Sequence, residues 1–238
     1  MTNAHAQQLI AHLRGRLIVS CQAPADSPLH DPYVIARLAL AAERQGAGGV
    51  RVDSPSHIEA TRALVTVPII GIHKQVHDGS AVYITPTCNA AAGVIEAGAD
   101  IIAVDATTRH RPHGERLADI IGIIRAHGRL VMADVATEAQ GLAAADLGVD
   151  LIATTLSGYT EDSVRHPGPD LTLVERLATG TRLPVIAEGR IRTANDVRQA
   201  FRAGAYAVVV GGAITGIDTM VKHFVDATPS GLAETRDA

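Results

Sequence analysis

Residues 184–215 read PVIAEGRIRTANDVRQAFRAGAYAVVVGGAIT, and the fold follows from how this stretch is divided. One apolar run ends on Glu188, Gly189 and Arg190, a short polar helix pattern follows, and a second apolar run ends on Gly211 and Gly212. This is one strand-helix-strand unit with a glycine at the carboxyl end of each strand. Glycine lets backbone N–H groups approach an anion closely, and in a parallel α/β barrel the loops after the last two strands are where a phosphate group sits. Glu188 then stands beside the place where a phosphorylated substrate is held.

Working outward, the composition limits the classes available. The chain has 238 residues, 47% of them hydrophobic, with only 3% aromatic and no tryptophan. Its core must therefore be built from Val, Ile, Leu and Ala, as in parallel sheets covered by helices. A net charge of −4 and a pI near 6.2 give no basic footprint, which argues against nucleic acid or an anionic membrane as partner. Cys21 and Cys88 are too few and too far apart for a disulfide framework or a zinc cluster, so a reducing compartment is the default. No apolar stretch approaches the roughly 20 residues of a membrane span, and MTNAHAQQLIAHLRGR lacks the apolar centre of a signal peptide. The expected location is the cytoplasm.

The rest of the chain repeats the opening unit. A helix over about 5–14 is expected to cover one end of a barrel. Strands are expected at 16–20, 50–53, 67–71, 100–105, 130–134 and 150–155, with helices over 33–45, 89–98, 114–127, 137–148 and 167–177 and another opening at 54–56. Three helix-to-strand joints, EAGADIIAVD, DLGVDLIATT and RAGAYAVVVG, each place a glycine where a helix ends in the left-handed conformation. Residues 77–87 are long for a connection and read as an active-site loop holding Tyr83. Eight β/α units in this length predict a single TIM (β/α)8 barrel domain over 1–238, with a short tail from about 228. A doubly wound open sheet is the alternative.

In such a barrel the polar residues at strand ends converge on one mouth: Gln22, Arg51 with Asp53, Lys74, Asp105, Asp134, Thr154 with Thr155, and Glu188 with Arg190. Strand ends also carry polar residues merely because water is near, so the number of such places weighs more than any one. Lys74 follows a buried strand and shares its mouth with Arg51, and both effects lower a lysine pKa toward a base or Schiff-base role. The plainer alternative is an ammonium that neutralises a ring of carboxylates. Glu188 can exchange a proton opposite Lys74 or simply pair with a cation, and Asp134 can hold a substrate hydroxyl or form a salt bridge. Cys21 reads as a packed residue. Histidines 57, 73, 77, 110, 113, 127 and 166 lack metal spacing and are expected to be mostly solvated, so no metal site is indicated.

Taken together, LIVSCQ with DSPL, VPIIGIHK, AGADIIAVDAT with RHRP, IATTLSGYT, VIAEGRI and VVVGGAIT resemble the N-acetylmannosamine-6-phosphate 2-epimerase family of sialic acid catabolism, from about Leu17 to Thr215. The resemblance implies a cofactor-independent barrel that interconverts N-acetyl-D-mannosamine 6-phosphate and N-acetyl-D-glucosamine 6-phosphate. It implies Lys74 and Glu188 as the catalytic pair and Gln22, Arg51 and Asp134 near the sugar. Asp105, Arg109, Thr155 and Tyr159 are further substrate-binding candidates, and the backbone of Gly189, Arg190, Gly211 and Gly212 is assigned to the phosphate. The chain departs from the family pattern at Gly212, Gly216 and Gln75, where serine, arginine and a basic residue are usual. The expected partners are a small-molecule sugar phosphate and a second copy of the chain in a homodimer.

The chemistry leads to the same pair. Inverting carbon 2 of an amino sugar needs a proton removed beside the carbon 1 aldehyde and returned on the other face. Strands three and seven are four apart in an eight-stranded ring, so Lys74 and Glu188 face each other across it. Arg51 is a candidate partner for the enolate oxygen. A Schiff-base aldolase, an FMN-binding phosphate barrel and a non-catalytic sugar-phosphate binding protein are the alternatives.

Overall fold

Short runs of Val, Ile, Leu and Ala form the strands, and nearly every strand residue is buried, as a parallel sheet with both faces covered requires. In the computed structural model, which describes residues 3–229, these strands are β1 (Leu17–Cys21), β2 (Gly49–Asp53), β3 (Ile69–Ile72), β4 (Ile101–Asp105), β5 (Leu130–Asp134), β6 (Leu151–Ala153), β7 (Val185–Glu188) and β8 (Ala207–Val210). All pair in parallel and in sequence order, and β8 closes on β1. The architecture is the TIM (β/α)8 barrel.

The helices are α1 (Asn3–Leu13), α2 (Pro32–Arg44), α3 (Pro55–Arg62), α4 (Cys88–Glu96), α5 (Leu117–Ala126), α6 (Glu138–Asp146), α7 (Leu171–Gly180), α8 (Ala194–Arg202) and α9 (Ile217–Asp226). Their starts are written in the sequence: the side chains of Asp31, Thr87, Thr137, Asp170 and Thr193 each accept a hydrogen bond from the amide three residues on. The glycines of the three repeated joints, Gly98, Gly148 and Gly204, all have left-handed φ.

Strand periodicity divides the core in two. Outward residues such as Val19, Val50, Val52 and Ile102 pack under the helices. Inward residues such as Ile18, Ile70, Ile101, Met132, Leu151 and Ile186 fill the barrel, and Leu13 of α1 joins them from below. Continued upward, the inward parity runs Ile18–Ser20–Gln22, Gly49–Arg51–Asp53, Ile70–Ile72–Lys74, Met132–Asp134, Ala153–Thr155 and Ile186–Glu188. The layer above the apolar fill is therefore polar.

Three expectations need correction. Helix α7 begins at Leu171 instead of 167, because Asp170 caps it and 154–170 run irregularly past Pro167 and Pro169. A helix, α9, occupies 217–226, to which the sequence reading assigns no element. His57 is 3% exposed rather than solvated, edge-on to the His30 ring at 4.6 Å between centroids. The expected tail lies, from residue 230 onward, outside the described residues.

Candidate active site

At the carboxyl ends of the strands lies a cavity of about 590 Å³, whose lining includes Gln22, Arg51, Lys74, Thr155, Glu188 and Gly212. The segment after β3 shapes one wall by folding back on itself: Lys74 bridges Ile84 in antiparallel fashion, and the Gln75 amide donates to the Tyr83 carbonyl at 3.0 Å. This return brings the Tyr83 ring into the cavity.

The cavity floor is an ion-pair network. Arg51 Nη2 donates to Asp134 Oδ2 at 2.5 Å, and its Nη1 donates to Asp134 Oδ1 at 3.1 Å and to Glu188 Oε2 at 2.8 Å. Thr155 Oγ1 reaches Asp134 Oδ1 at 2.7 Å and Glu188 Oε2 at 3.2 Å. The Arg51 and Asp134 side chains are 1% and 0% exposed, whereas Glu188 keeps 13% of its surface open to the cavity. Burial pushes the Glu188 carboxyl above the usual carboxylate range; the Arg51 guanidinium opposes that shift and the Asp134 charge adds to it.

Lys74 stands across the cavity, its side chain 41% exposed. Its Nζ donates to Gln22 Oε1, Gln22 Nε2 donates to Ser20 Oγ at 2.8 Å, and Asp53 Oδ2 lies 4.0 Å from the ammonium. Crowding by protein atoms lowers the Lys74 pKa, Asp53 opposes this, and Arg51 lowers it further. The two groups are thus displaced toward one another from opposite ends of the pH scale, the condition in which one accepts a proton while the other holds one.

Toward β7 and β8 the wall is backbone. Gly189 and Arg190 have φ of 112° and 54°, so the chain leaves β7 through two successive left-handed residues. No protein acceptor among the described residues takes the amides of Gly189, Gly212 or Ala213. A Cβ built on Gly212 meets nothing within 4 Å, which leaves open space against the backbone. Free amides beside open space suit an anion.

Other predicted residues lie elsewhere. Asp134 is beneath the cavity surface, its oxygens taken by Arg51 and Thr155. Asp105 is 0% exposed, closed over by Thr107, whose Oγ1 lies 2.7 Å away, and by Arg109 Nη2 at 2.5 Å. Arg109 instead lines a neighbouring cavity that shares Tyr159 with the first. Arg190 lines the main cavity, yet its guanidinium bonds the carbonyls of Gly168 and Ser157 and lies 5.1 Å from the Tyr159 ring centre. Cys21 is buried and its thiol is pushed up to about 12, which leaves it inert. Sequence reasoning missed Ser20, Arg192, Thr219 and His223 as lining residues. Parity with Ile18 could have found Ser20; nothing in the strand pattern points to the other three.

Fold and site together define a barrel of the enzyme type, with a lysine and a glutamate entering one cavity beside a glycine-lined stretch of backbone. A sequence profile described as "Putative N-acetylmannosamine-6-phosphate epimerase" (NanE) matches residues 35–230. A relative from Synechococcus elongatus, described as a 2-epimerase in the same terms, is 49% identical over 224 residues, 93% of this chain and 97% of the relative. The solved N-acetylmannosamine-6-phosphate 2-epimerase from Clostridium perfringens superposes with a TM-score of 0.90 at 41% identity, covering 92% of this chain and 96% of the other. A thiamine phosphate pyrophosphorylase from Pyrococcus furiosus, at 17% identity and a TM-score of 0.59, shares the fold alone. The chain belongs to the NanE family of N-acetylmannosamine-6-phosphate epimerases.

Proposed function

We propose that this enzyme interconverts N-acetyl-D-mannosamine 6-phosphate and N-acetyl-D-glucosamine 6-phosphate by moving the proton on carbon 2. The observation that carries the reading is that Lys74 and Glu188 enter one cavity from β3 and β7, half the barrel apart. In the opened sugar the base form of one group takes the carbon 2 proton; the C–H electron pair becomes the enolate. The acid form of the other group then protonates carbon 2 from the opposite face. One proton leaves and one returns, and no electrons are exchanged, so the reaction as written assigns no step to a redox cofactor or a metal.

Other residues take supporting roles. Gln22 steers the Lys74 amine, and Arg51 with Thr155 holds the Glu188 carboxyl. Since the Arg51 Nη1 already serves two carboxylates, we assign Arg51 to orienting Glu188 rather than to the enolate oxygen. The phosphate sits against Gly189, Arg190, Gly211 and Gly212. Tyr159, on the shared wall, and Arg109 beyond it border the sugar side. The proposed setting is amino-sugar breakdown from sialic acid in the cytoplasm. Its support is the family resemblance, and among the described residues no helix is long and apolar enough to cross a membrane. We further propose a homodimer, on the strength of the apolar face of α9, where Phe224 is 66% and Val221 56% exposed.

Proton NMR in deuterated water tests the reaction. Each hexosamine phosphate should give the other epimer with deuterium at carbon 2. Binding without exchange would leave a non-catalytic sugar-phosphate protein, and a borohydride-trapped Lys74 adduct with cleavage products would make it an aldolase.

A further inference from the structure

The phosphate cradle described so far offers backbone amides and no free charged donor. Arg190, the cation nearest to it in sequence, spends its guanidinium on two carbonyls and the Tyr159 ring. Position 216 supplies nothing either, because a Cβ there would meet the Gly212 Cα and carbonyl oxygen at 2.8 Å. Backbone amides alone are a weak replacement for the water around a dianionic phosphate, and charge-assisted donors are roughly twice as strong.

Two other side chains able to donate to a phosphate line the cavity: Arg192, in the loop between β7 and α8, and His223 on α9. The Arg192 backbone is pinned, since its amide donates to Asp196 Oδ2 at 3.0 Å within the N-terminal cap of α8. Its guanidinium makes no hydrogen bond among the described residues, and the charge it faces is the Asp196 carboxylate, whose pKa it helps to lower. On α9, His223 falls one turn after Thr219 and Met220, and all three line the cavity. The acidic residue of that helix start, Asp218, is engaged by Ser27 Oγ at 2.8 Å. No residue of α9 is buried in the barrel core.

We propose that Arg192 and His223 grip the substrate phosphate from two sides, making α9 the outer wall of the phosphate site. This rests on the reading of the β7 and β8 loops as the phosphate end. Phosphate bound between them also ties α9 to the barrel, so the helix is more firmly held when the site is filled.

The test measures KM for N-acetylmannosamine 6-phosphate and competitive inhibition by inorganic phosphate in Arg192→Ala, His223→Ala, His223→Lys and Gly212→Val. Each alanine should raise both KM and the phosphate inhibition constant by about tenfold, the factor of one charge-assisted bond to a partly exposed group, with kcat within about threefold. Lysine at 223 should recover most of the loss. Hydrogen exchange of 217–226 should slow with inorganic phosphate in the wild type and not in His223→Ala. Both side chains are exposed, so their removal empties no core. If Gly212→Val weakens inhibition by phosphate while both alanines leave it at the wild-type value, this inference fails alone. If Gly212→Val also leaves it unchanged, the phosphate reading of the loops fails with it.

Discussion

Removing the guanidinium of Arg51 would leave Asp134 and Glu188 facing one another without the cation that binds both, and with little solvent to replace it. Breaking a buried pair by deleting one partner costs about 3–5 kcal/mol, because the stranded charge has no water to return to. Arg51→Met should therefore lower stability by that amount in urea unfolding at neutral pH. It should also raise the Glu188 pKa further, since Arg51 is the strongest of the groups opposing burial there, ahead of Thr155 and Lys74. The pH dependence of kcat reports the same pair. In the proposed mechanism the active enzyme carries one proton shared between Lys74 and Glu188: below the Glu188 pKa both are protonated and no base remains, and above the Lys74 pKa neither is and no acid remains. With Glu188 raised and Lys74 lowered, the bell should be narrower than the roughly 4.3 to 10.4 span of free side chains. Glu188→Gln should reduce kcat by about 10²-fold to 10⁴-fold and remove the acid limb, with KM changed little; a wild-type acid limb surviving in that variant would detach Glu188 from proton transfer. That Lys74 and Glu188 reach the cavity was legible in the sequence because each stands at the end of an apolar strand with inward parity. Asp105 obeys the same parity, yet Thr107 and Arg109 close over it. Local cover of that kind depends on rotamers and loop paths, which strand periodicity does not encode.

At the scale of elements, the strands and capped helices were readable because their signals are local: period-two apolar runs, a Thr or Asp cap, a glycine at the helix end. The segment 154–170 was not, since its prolines leave the helix start to Asp170. Helix α9 hid because its apolar residues, Ile217, Val221, Phe224 and Val225, face away from the barrel. Gly71 shows how closely an element's position is tied to the site. A Cβ there would meet Val94 Cγ1 at 2.5 Å and Ala99 Cβ at 2.6 Å, so β3 touches α4 with no room for a methyl group. Gly71→Ala should cost about 1–3 kcal/mol by overpacking. Because β3 carries Lys74 three residues further on, the same change should lower kcat more than it raises the inhibition constant for phosphate, whose proposed site is at β7 and β8. Equal damage to both would mean that the barrel responds as a whole rather than through β3.

Over the whole molecule, closure of the barrel brings residues from positions 20 to 223 into one cavity. That convergence could be read from the count of β/α repeats, since an eight-stranded ring sets β3 opposite β7 whatever the loops do. The proposed association could not be read this way, because it rests on a helix outside the repeat. At 100° per residue, Thr219, Met220 and His223 lie on one side of α9, and Ile217, Val221, Phe224 and Val225 on the other. The first side faces the cavity; the second is about half exposed or more. A ten-residue helix is only about 15 Å long and falls short of the roughly 800 Å² per partner of a stable interface, so the neighbouring Ile214, 50% exposed, should join it. For the proposed homodimer, sedimentation equilibrium should give twice the chain mass of 24.8 kDa. Val221→Asp with Phe224→Asp would bury two carboxylates at its centre and should return the mass to that of one chain. Since neither residue touches the cavity, kcat should survive in the monomer, while KM rises as α9 loses the partner that holds His223 in place. A wild-type enzyme that sediments as a single chain at micromolar concentration would rule out the dimer, and a doubly substituted one that stays dimeric would move the interface away from α9.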